Sequence, residues 1–270
     1  MSMEYRVNGT TLRYKAAGET RAGEDRVLLQ DDVDLTDRTQ WARPGYTVEK
    51  LFNDEKYFIF KRNVTQLLCA CWQKANLYIP SEYRLDQYHL FASGNEQHLA
   101  AVEATKLIDV EYFPLYIRTL EDRISEICNR RLMVKNPFDG QTVFHFRVIR
   151  PGQKDNNPLH RDVWLDDYKS CINLYIPIVG SNEESSLIII PGSHHWPESR
   201  VERTVGGAEI NGVKFNVPAV TKISGETQFV RPDPKENEVL VFSPYLIHGG
   251  SSNLNEDITR ISMEIRLWEF

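Results

Sequence analysis

Two histidines and an aspartate carry the most specific chemistry this chain offers. His160 and Asp162 flank Arg161, and a distant His248 closes the apolar run Pro244-Tyr245-Leu246-Ile247. Two imidazoles and one carboxylate are the protein ligands of the facial iron(II) site of non-haem oxygenases. Three ligands on one octahedral face leave three positions open, two for a bidentate keto acid and one for dioxygen. Downstream of His248 stands Arg260, in Arg260-Ile261-Ser262. A guanidinium there is suited to the far carboxylate of such a keto acid, because its planar fork binds a carboxylate with two parallel hydrogen bonds.

For His160 and Asp162 to meet one ion, the segment joining them must be extended. Strand side chains alternate, so residues two apart share a face and Arg161 points away. Taken alone, the His-x-Asp string reads equally as a polar turn after Asn156-Asn157-Pro158. His248 alone reads equally as a strand-end histidine before a Gly249-Gly250 turn. The weight lies in the combination and its order.

The elements that must position these residues are legible in outline. Residues 1–50 read as short strands broken at Gly9, Gly18, Gly23 and Pro44-Gly45. A helix is expected from Asn53, a plausible N-cap, to about Asn76, with Phe60, Val64, Leu67, Cys71 and Ala75 on one face. A second is expected from about Phe113 to Arg131, with Pro114 near its start and Leu120, Ile124 and Ile127 inward. Shorter helical pieces fill 81–106. From about residue 141 the pattern becomes short apolar runs between turns: Val143 to Ile149, Ile172 to Ile178, Leu187 to Ile190, Val239 to Phe242 and Thr259 to Trp268. Many short strands with Gly/Pro turns argue for a sandwich or closed barrel. We expect a mainly β protein with a helical N-terminal half, an α+β arrangement. It would be a single domain over 1–270, in which 1–140 support a catalytic core at 141–270.

Composition narrows the function classes. Of 270 residues, 41% are apolar and 26% charged, ordinary for a globular protein able to bury a substantial core. Net charge is -6 with no basic block, against a nucleic-acid partner. No apolar run approaches bilayer length, against a membrane partner. Met1-Ser2-Met3-Glu4-Tyr5-Arg6 lacks the apolar stretch of a secretory signal, so the expected compartment is cytoplasmic. Cys69, Cys71, Cys128 and Cys171 lack zinc-type spacing and are expected as buried free thiols. Oligomeric state is not legible.

Over about 142–268 the chain resembles the iron(II)/2-oxoglutarate dioxygenases, in particular their phytanoyl-CoA dioxygenase-like branch. The resemblance rests on His160-x-Asp162 after a strand ending in Arg150-Pro151-Gly152, and on the apolar strand Ile172 to Ile178. It rests further on Ser186-Leu187-Ile188-Ile189-Ile190-Pro191-Gly192-Ser193-His194, and on His248-Gly249-Gly250-Ser251 leading to Arg260-x-Ser262. The Pro-Gly-Ser-His string is the most specific of these. Ser185-Ser186 departs from the glycine the branch often has there, a packing position.

The resemblance implies a double-stranded β-helix, or jelly roll. It implies iron(II) on His160, Asp162 and His248, with 2-oxoglutarate as cosubstrate and O2 as oxidant. It places Arg260 on the cosubstrate's C5 carboxylate with Ser262 assisting, and an aromatic or polar contact near Tyr175 or Asn173. Arg266 is the competitor for the carboxylate, since Arg260, Ser262, Glu264 and Arg266 alternate along one face; we expect Arg266 to pair with Glu264 or another acid. An intact Asp162 disfavours halogenation. His194-His195 is expected to structure its loop rather than bind metal.

Arg147 and Trp164 are candidate substrate contacts, with a buried ion pair and a solvated turn as their respective competing readings. Polar residues in the loops at 153–158 and 193–237 (Gln153, Lys154, Asn156, Asn157, Arg200, Arg203) favour a hydrophilic substrate such as a sugar or amino-acid derivative. The expectation is therefore a hydroxylase of a small polar metabolite in a natural-product or carbohydrate pathway, releasing succinate and CO2. Desaturation, cyclisation or epimerisation at the same site is the alternative. A jelly-roll binding protein with a degenerate site is a further alternative, against which the intact triad and Arg260 argue.

Overall fold

The structure, a computed structural model, describes residues 1–153, 157–210, 213–250 and 252–270. Lys154, Asn156 and Ser251, named above, lie outside the described residues. The strand Arg260–Glu269 runs through the middle of the largest sheet, antiparallel to Cys171–Val179 on one side and Val143–Ile149 on the other. Glu238–Phe242 pairs with Cys171–Val179, and Tyr46–Lys50 closes that edge; Ile108–Asp109 closes the opposite one.

A smaller sheet faces it. His248–Gly249 pairs with Ile188–Ile189, and single bridges add His160 to His248 and Val230 to Ile189. Two facing antiparallel sheets make this a jelly roll, mainly β with its helices packed outside. On the far side of the smaller sheet lies the N-terminal hairpin, Ser2–Val7 with Thr10–Ala17. Met3, Tyr5 and Val7 pack there against Ile188, Ile190 and Ile247.

Alternation decides what each face of the large sheet meets. Ile261, Met263, Ile265 and Leu267, with Ile172, Leu174, Ile176, Val239 and Val241, join the helices in the main apolar core. The opposite parity carries Arg260, Ser262, Glu264 and Arg266, beside Asn173 and Tyr175 across the strand pair. Tyr175, Leu240 and Phe242 fill part of the space between the sheets with Leu187, Ile189 and Leu246. The polar remainder of that face forms the site.

Asp54–Lys74 is helical, and Asn53 caps it by accepting from the Lys56 N–H. Its buried stripe is Tyr57, Phe60, Val64, Leu68, Cys71 and Trp72. The expected Leu67 is only partly buried, because a four-residue step from Val64 follows the 3.6 period toward the core better than a three-residue one. The second long helix is Arg118–Cys128, shorter at both ends than expected. Phe113 is extended (φ -58°, ψ 137°), as the clash with a following proline ring favours. Asn129 takes a left-handed conformation (φ 50°) that ends the helix. The four cysteines are free, and Cys71, Cys128 and Cys171 are buried. Among the described residues no helix is long and apolar enough to cross a membrane.

Candidate metal centre

One antiparallel residue pair builds the core of the site. The His160 N–H donates to the His248 carbonyl (2.9 Å) and the His248 N–H to the His160 carbonyl (3.0 Å). The two imidazoles therefore stand side by side, ring centroids 4.4 Å apart. Arg161 is extended (φ -112°, ψ 134°) and returns Asp162 to the same side. Asp162 Oδ1 lies 3.1 Å from His160 Nε2 and 3.7 Å from His248 Nε2. Only this much of the segment is strand-like; Asp162–Trp164 is already a tight 3-10 turn. Arg161 points the other way, fully buried, and donates to the Ser193 carbonyl at 2.8 Å. That ties the metal segment to the Pro-Gly-Ser-His loop. Gly249 (φ +129°) lets the two segments meet, since a Cβ there would overlap the Pro158 carbonyl.

Protonation suits metal binding. His160 Nδ1 lies 2.7 Å from the Pro158 carbonyl, and His248 Nδ1 lies 2.9 Å from that of Leu246. A carbonyl can only accept, so each Nδ1 carries a hydrogen and each Nε2 is the ring atom turned toward Asp162. Burial and the neighbouring His160 push His248 down to about 4, leaving it neutral at physiological pH. Burial alone would raise the Asp162 carboxyl. The Arg266 guanidinium opposes it most strongly, and the carboxyl is held well below the usual carboxylate range. Two imidazole nitrogens and one carboxylate oxygen, buried and within 4.8 Å of one another, fit a divalent first-row metal. A second cluster, Asp34, His194 and His195, meets the same distance limit. There His194 Nε2 bonds the Ala42 carbonyl (2.9 Å) and its ring packs against Gly45, the loop-holding role expected of it.

A cavity of about 290 Å³ opens beside the ligands. Its wall includes His145, Arg147, Tyr168, Asn216, Glu264 and Arg266. Arg147 pairs with Glu264 (Nε to Oε1, 2.7 Å), the ion-pair reading of that residue, and His145 Nε2 lies 3.0 Å from Glu264 Oε2. Tyr175 forms part of the wall, with its hydroxyl 2.8 Å from Ser181 Oγ. Arg260 is fully buried beyond Tyr175, its guanidinium 5.8 Å from that ring, and donates to Ser262 Oγ at 2.8 Å. Asn173 reaches Asp162, donating to its Oδ2 at 2.9 Å.

Trp164 is a correction. It does not line the cavity: its indole donates to Glu198 (2.8 Å) and Arg203 lies over its ring at 4.6 Å. The 3-10 turn rotates it off the face that Asp162 occupies. Of the loop residues named for the substrate, Asn157 lines the cavity, whereas Gln153, Arg200 and Arg203 do not. Arg266 pairs with an acid, as expected, and that acid is Asp162. Sequence reasoning missed His145, Tyr168, Asn216 and Glu264 as wall residues, although His145 shares a strand face with Arg147. Glu264 also had a signal, its parity with Arg260 on one strand.

The Glu264 pair gives an expected pH dependence of stability. Burial would raise its carboxyl, but the Arg147 charge and the His145 hydrogen bond hold it well below the usual range. A carboxyl depressed in the folded state stabilises above its unfolded pKa, roughly 4.3, and loses that contribution as pH falls toward the folded value. Chemical denaturation of metal-free protein should therefore show stability falling below about pH 4. Glu264→Gln should flatten that fall and cost about 1–3 kcal/mol at neutral pH, discounted for partial exposure from the 3–5 of a fully buried pair. An unchanged acid limb in the variant would remove Glu264 as its source.

A jelly roll with two histidines and an aspartate converging between its sheets is the frame of a non-haem iron(II) oxygenase. The chain belongs to the phytanoyl-CoA dioxygenase family, whose model matches residues 13–262. It is an oxygenase that depends on 2-oxoglutarate and uses iron(II) and O2. Similar solved structures include EctD from S. alaskensis with 2-oxoglutarate and 5-hydroxyectoine, at 14% identity and TM-score 0.49, covering 95% of this chain and 86% of that one. AviO1 from Streptomyces viridochromogenes Tue57 is 14% identical with TM-score 0.48, covering 84% of this chain and 90% of that one. The 2-oxoglutarate-dependent epimerase SnoN from nogalamycin biosynthesis is 10% identical with TM-score 0.47, covering 85% and 80%. These likenesses are distant and carry no argument about substrate. A search of curated proteins finds no match.

Proposed function

We propose that the chain hydroxylates an unactivated C–H bond of a small polar metabolite, such as a sugar or amino-acid derivative. The supporting observation is the charged wall beside the metal ligands. Glu264, Arg147, His145 and Arg266 meet there in a cavity sized for a small molecule. A long apolar substrate would take this charged wall out of water and offer it no polar contact in return, which is costly.

Iron(II) and 2-oxoglutarate, when bound, would supply the activation of O2, the oxidant: one oxygen atom would leave in succinate as the cosubstrate loses CO2, and the other would enter the substrate. The chain's own residues do the rest. His160 and His248 present Nε2 lone pairs fixed by carbonyls behind them, and Asp162 presents Oδ1. Arg260, with Ser262 setting its guanidinium, would hold the C5 carboxylate, and Tyr175 would close one side of the cosubstrate. The Glu264–Arg147 pair and Asn157 would orient polar groups of the substrate. Burial of all three ligands keeps bulk water from the reacting centre.

The test begins under anaerobic conditions, adding iron(II) and then 2-oxoglutarate. A visible charge-transfer band is expected in wild type and absent in His248→Ala. Substrate-dependent succinate release is then followed over sugars, amino acids and acyl-CoA thioesters. Turnover with a polar compound, whose product is heavier by one oxygen atom, is the expected result. Activity confined to acyl-CoA thioesters, or a product lighter by two hydrogens, would overturn the hydroxylation of a polar metabolite.

A further inference from the structure

We infer that Arg266 is a positioning residue that fixes which oxygen of Asp162 a metal can take. This deepens the iron reading and rests on it. Asp162 Oδ2 receives three hydrogen bonds: from Arg266 Nη2 at 2.9 Å, from Arg266 Nε at 3.2 Å and from Asn173 Nδ2 at 2.9 Å. Oδ1 is the oxygen turned toward both histidine Nε2 atoms. A carboxylate oxygen has room for about two strong donors, so Oδ2 is saturated and Oδ1 alone remains for a metal. The carboxylate is thereby restricted to one coordination position.

The consequence is chemical. A carboxylate free to rotate could offer both oxygens and occupy two positions. One of the three places needed by a bidentate keto acid and dioxygen would then be lost. Arg266 is itself held, because its guanidinium stacks 4.3 Å over the Tyr168 ring. It also comes from the strand Arg260–Glu269, pinned on both sides by neighbours. Second partners of this kind keep a ligand in one orientation before the metal arrives.

Cobalt(II) is the probe, without cosubstrate, so that cosubstrate binding does not enter. Arg266→Ala, Arg266→Lys and wild type would be compared by calorimetric titration and by the visible ligand-field spectrum. In Arg266→Ala we expect cobalt(II) affinity to fall about 10- to 100-fold and the spectrum to shift. Arg266→Lys should recover most of the spectrum, because one ammonium can still occupy Oδ2. Wild-type affinity and spectrum in Arg266→Ala would overturn the inference. Tighter binding there would also overturn it, reducing Arg266 to a cation that repels the metal. If Arg266→Ala does not fold, Asn173→Ala replaces it, with the same shifts expected to be smaller and their absence equally decisive. Failure of wild type to bind cobalt(II) would instead count against the metal site itself.

Discussion

Asp162→Ala is expected to abolish 2-oxoglutarate turnover, a loss on the order of a thousandfold or more, since a metal site contributes several kcal/mol to the barrier. Three physical changes coincide at this position. The one anionic group of the candidate ligand set disappears, the negative charge that would offset the metal's is lost, and Arg266 loses its carboxylate. The last change bears on stability. Breaking a fully buried ion pair costs roughly 3–5 kcal/mol, and partial exposure of the arginine brings this down to about 1–3. A domain with a typical 5–15 kcal/mol in hand survives that loss. His160→Ala should match it in activity while costing less stability, because no buried charge is orphaned. Succinate release at saturating iron(II), read beside a denaturation curve, checks both. Wild-type turnover in either variant would show that the ligand assignment is wrong.

Arg260→Ala is expected to weaken 2-oxoglutarate binding by about 10- to 100-fold, the equivalent of roughly 1.5–3 kcal/mol for a hydrogen bond to a charged group. The residue is fully buried, and Ser262 Oγ fixes one of its terminal nitrogens at 2.8 Å. A guanidinium so held forfeits little entropy on meeting a carboxylate, which is why Arg260→Lys should restore only part of the affinity. Anaerobic titration of the charge-transfer band against cosubstrate concentration gives the dissociation constant directly. If Arg260→Ala titrates like wild type, the C5 carboxylate is held elsewhere.

Much of this was legible because it depends on local rules. Alternation placed Ile261, Met263, Ile265 and Leu267 on one face of the last strand and Arg260 to Arg266 on the other. Asn53 marked the start of the first long helix. Other features were misread where a local rule met a competing one. Pro114 would suit a helix start, yet its ring favours an extended Phe113 and the helix waits until Arg118. Leu67 and Leu68 are both apolar, and the 3.6-residue period carries the second toward the core.

The sequence by itself determined the candidate ligand set and its order along the chain, the parity of the strands, and an arginine on the strand after the distal histidine. These follow from residue type, spacing of two and the family motif. The tertiary structure gave Arg260 and Arg266, which share one face of one strand and look alike from sequence, different partners. What separates them is the element standing opposite: Tyr175 beside Arg260, Asp162 opposite Arg266. It also turned Trp164 away from the cavity, because the chain leaves extended geometry at Asp162 and a 3-10 turn breaks the period of two. Partners across a fold are set by packing between segments far apart in the chain, and no local spacing encodes them.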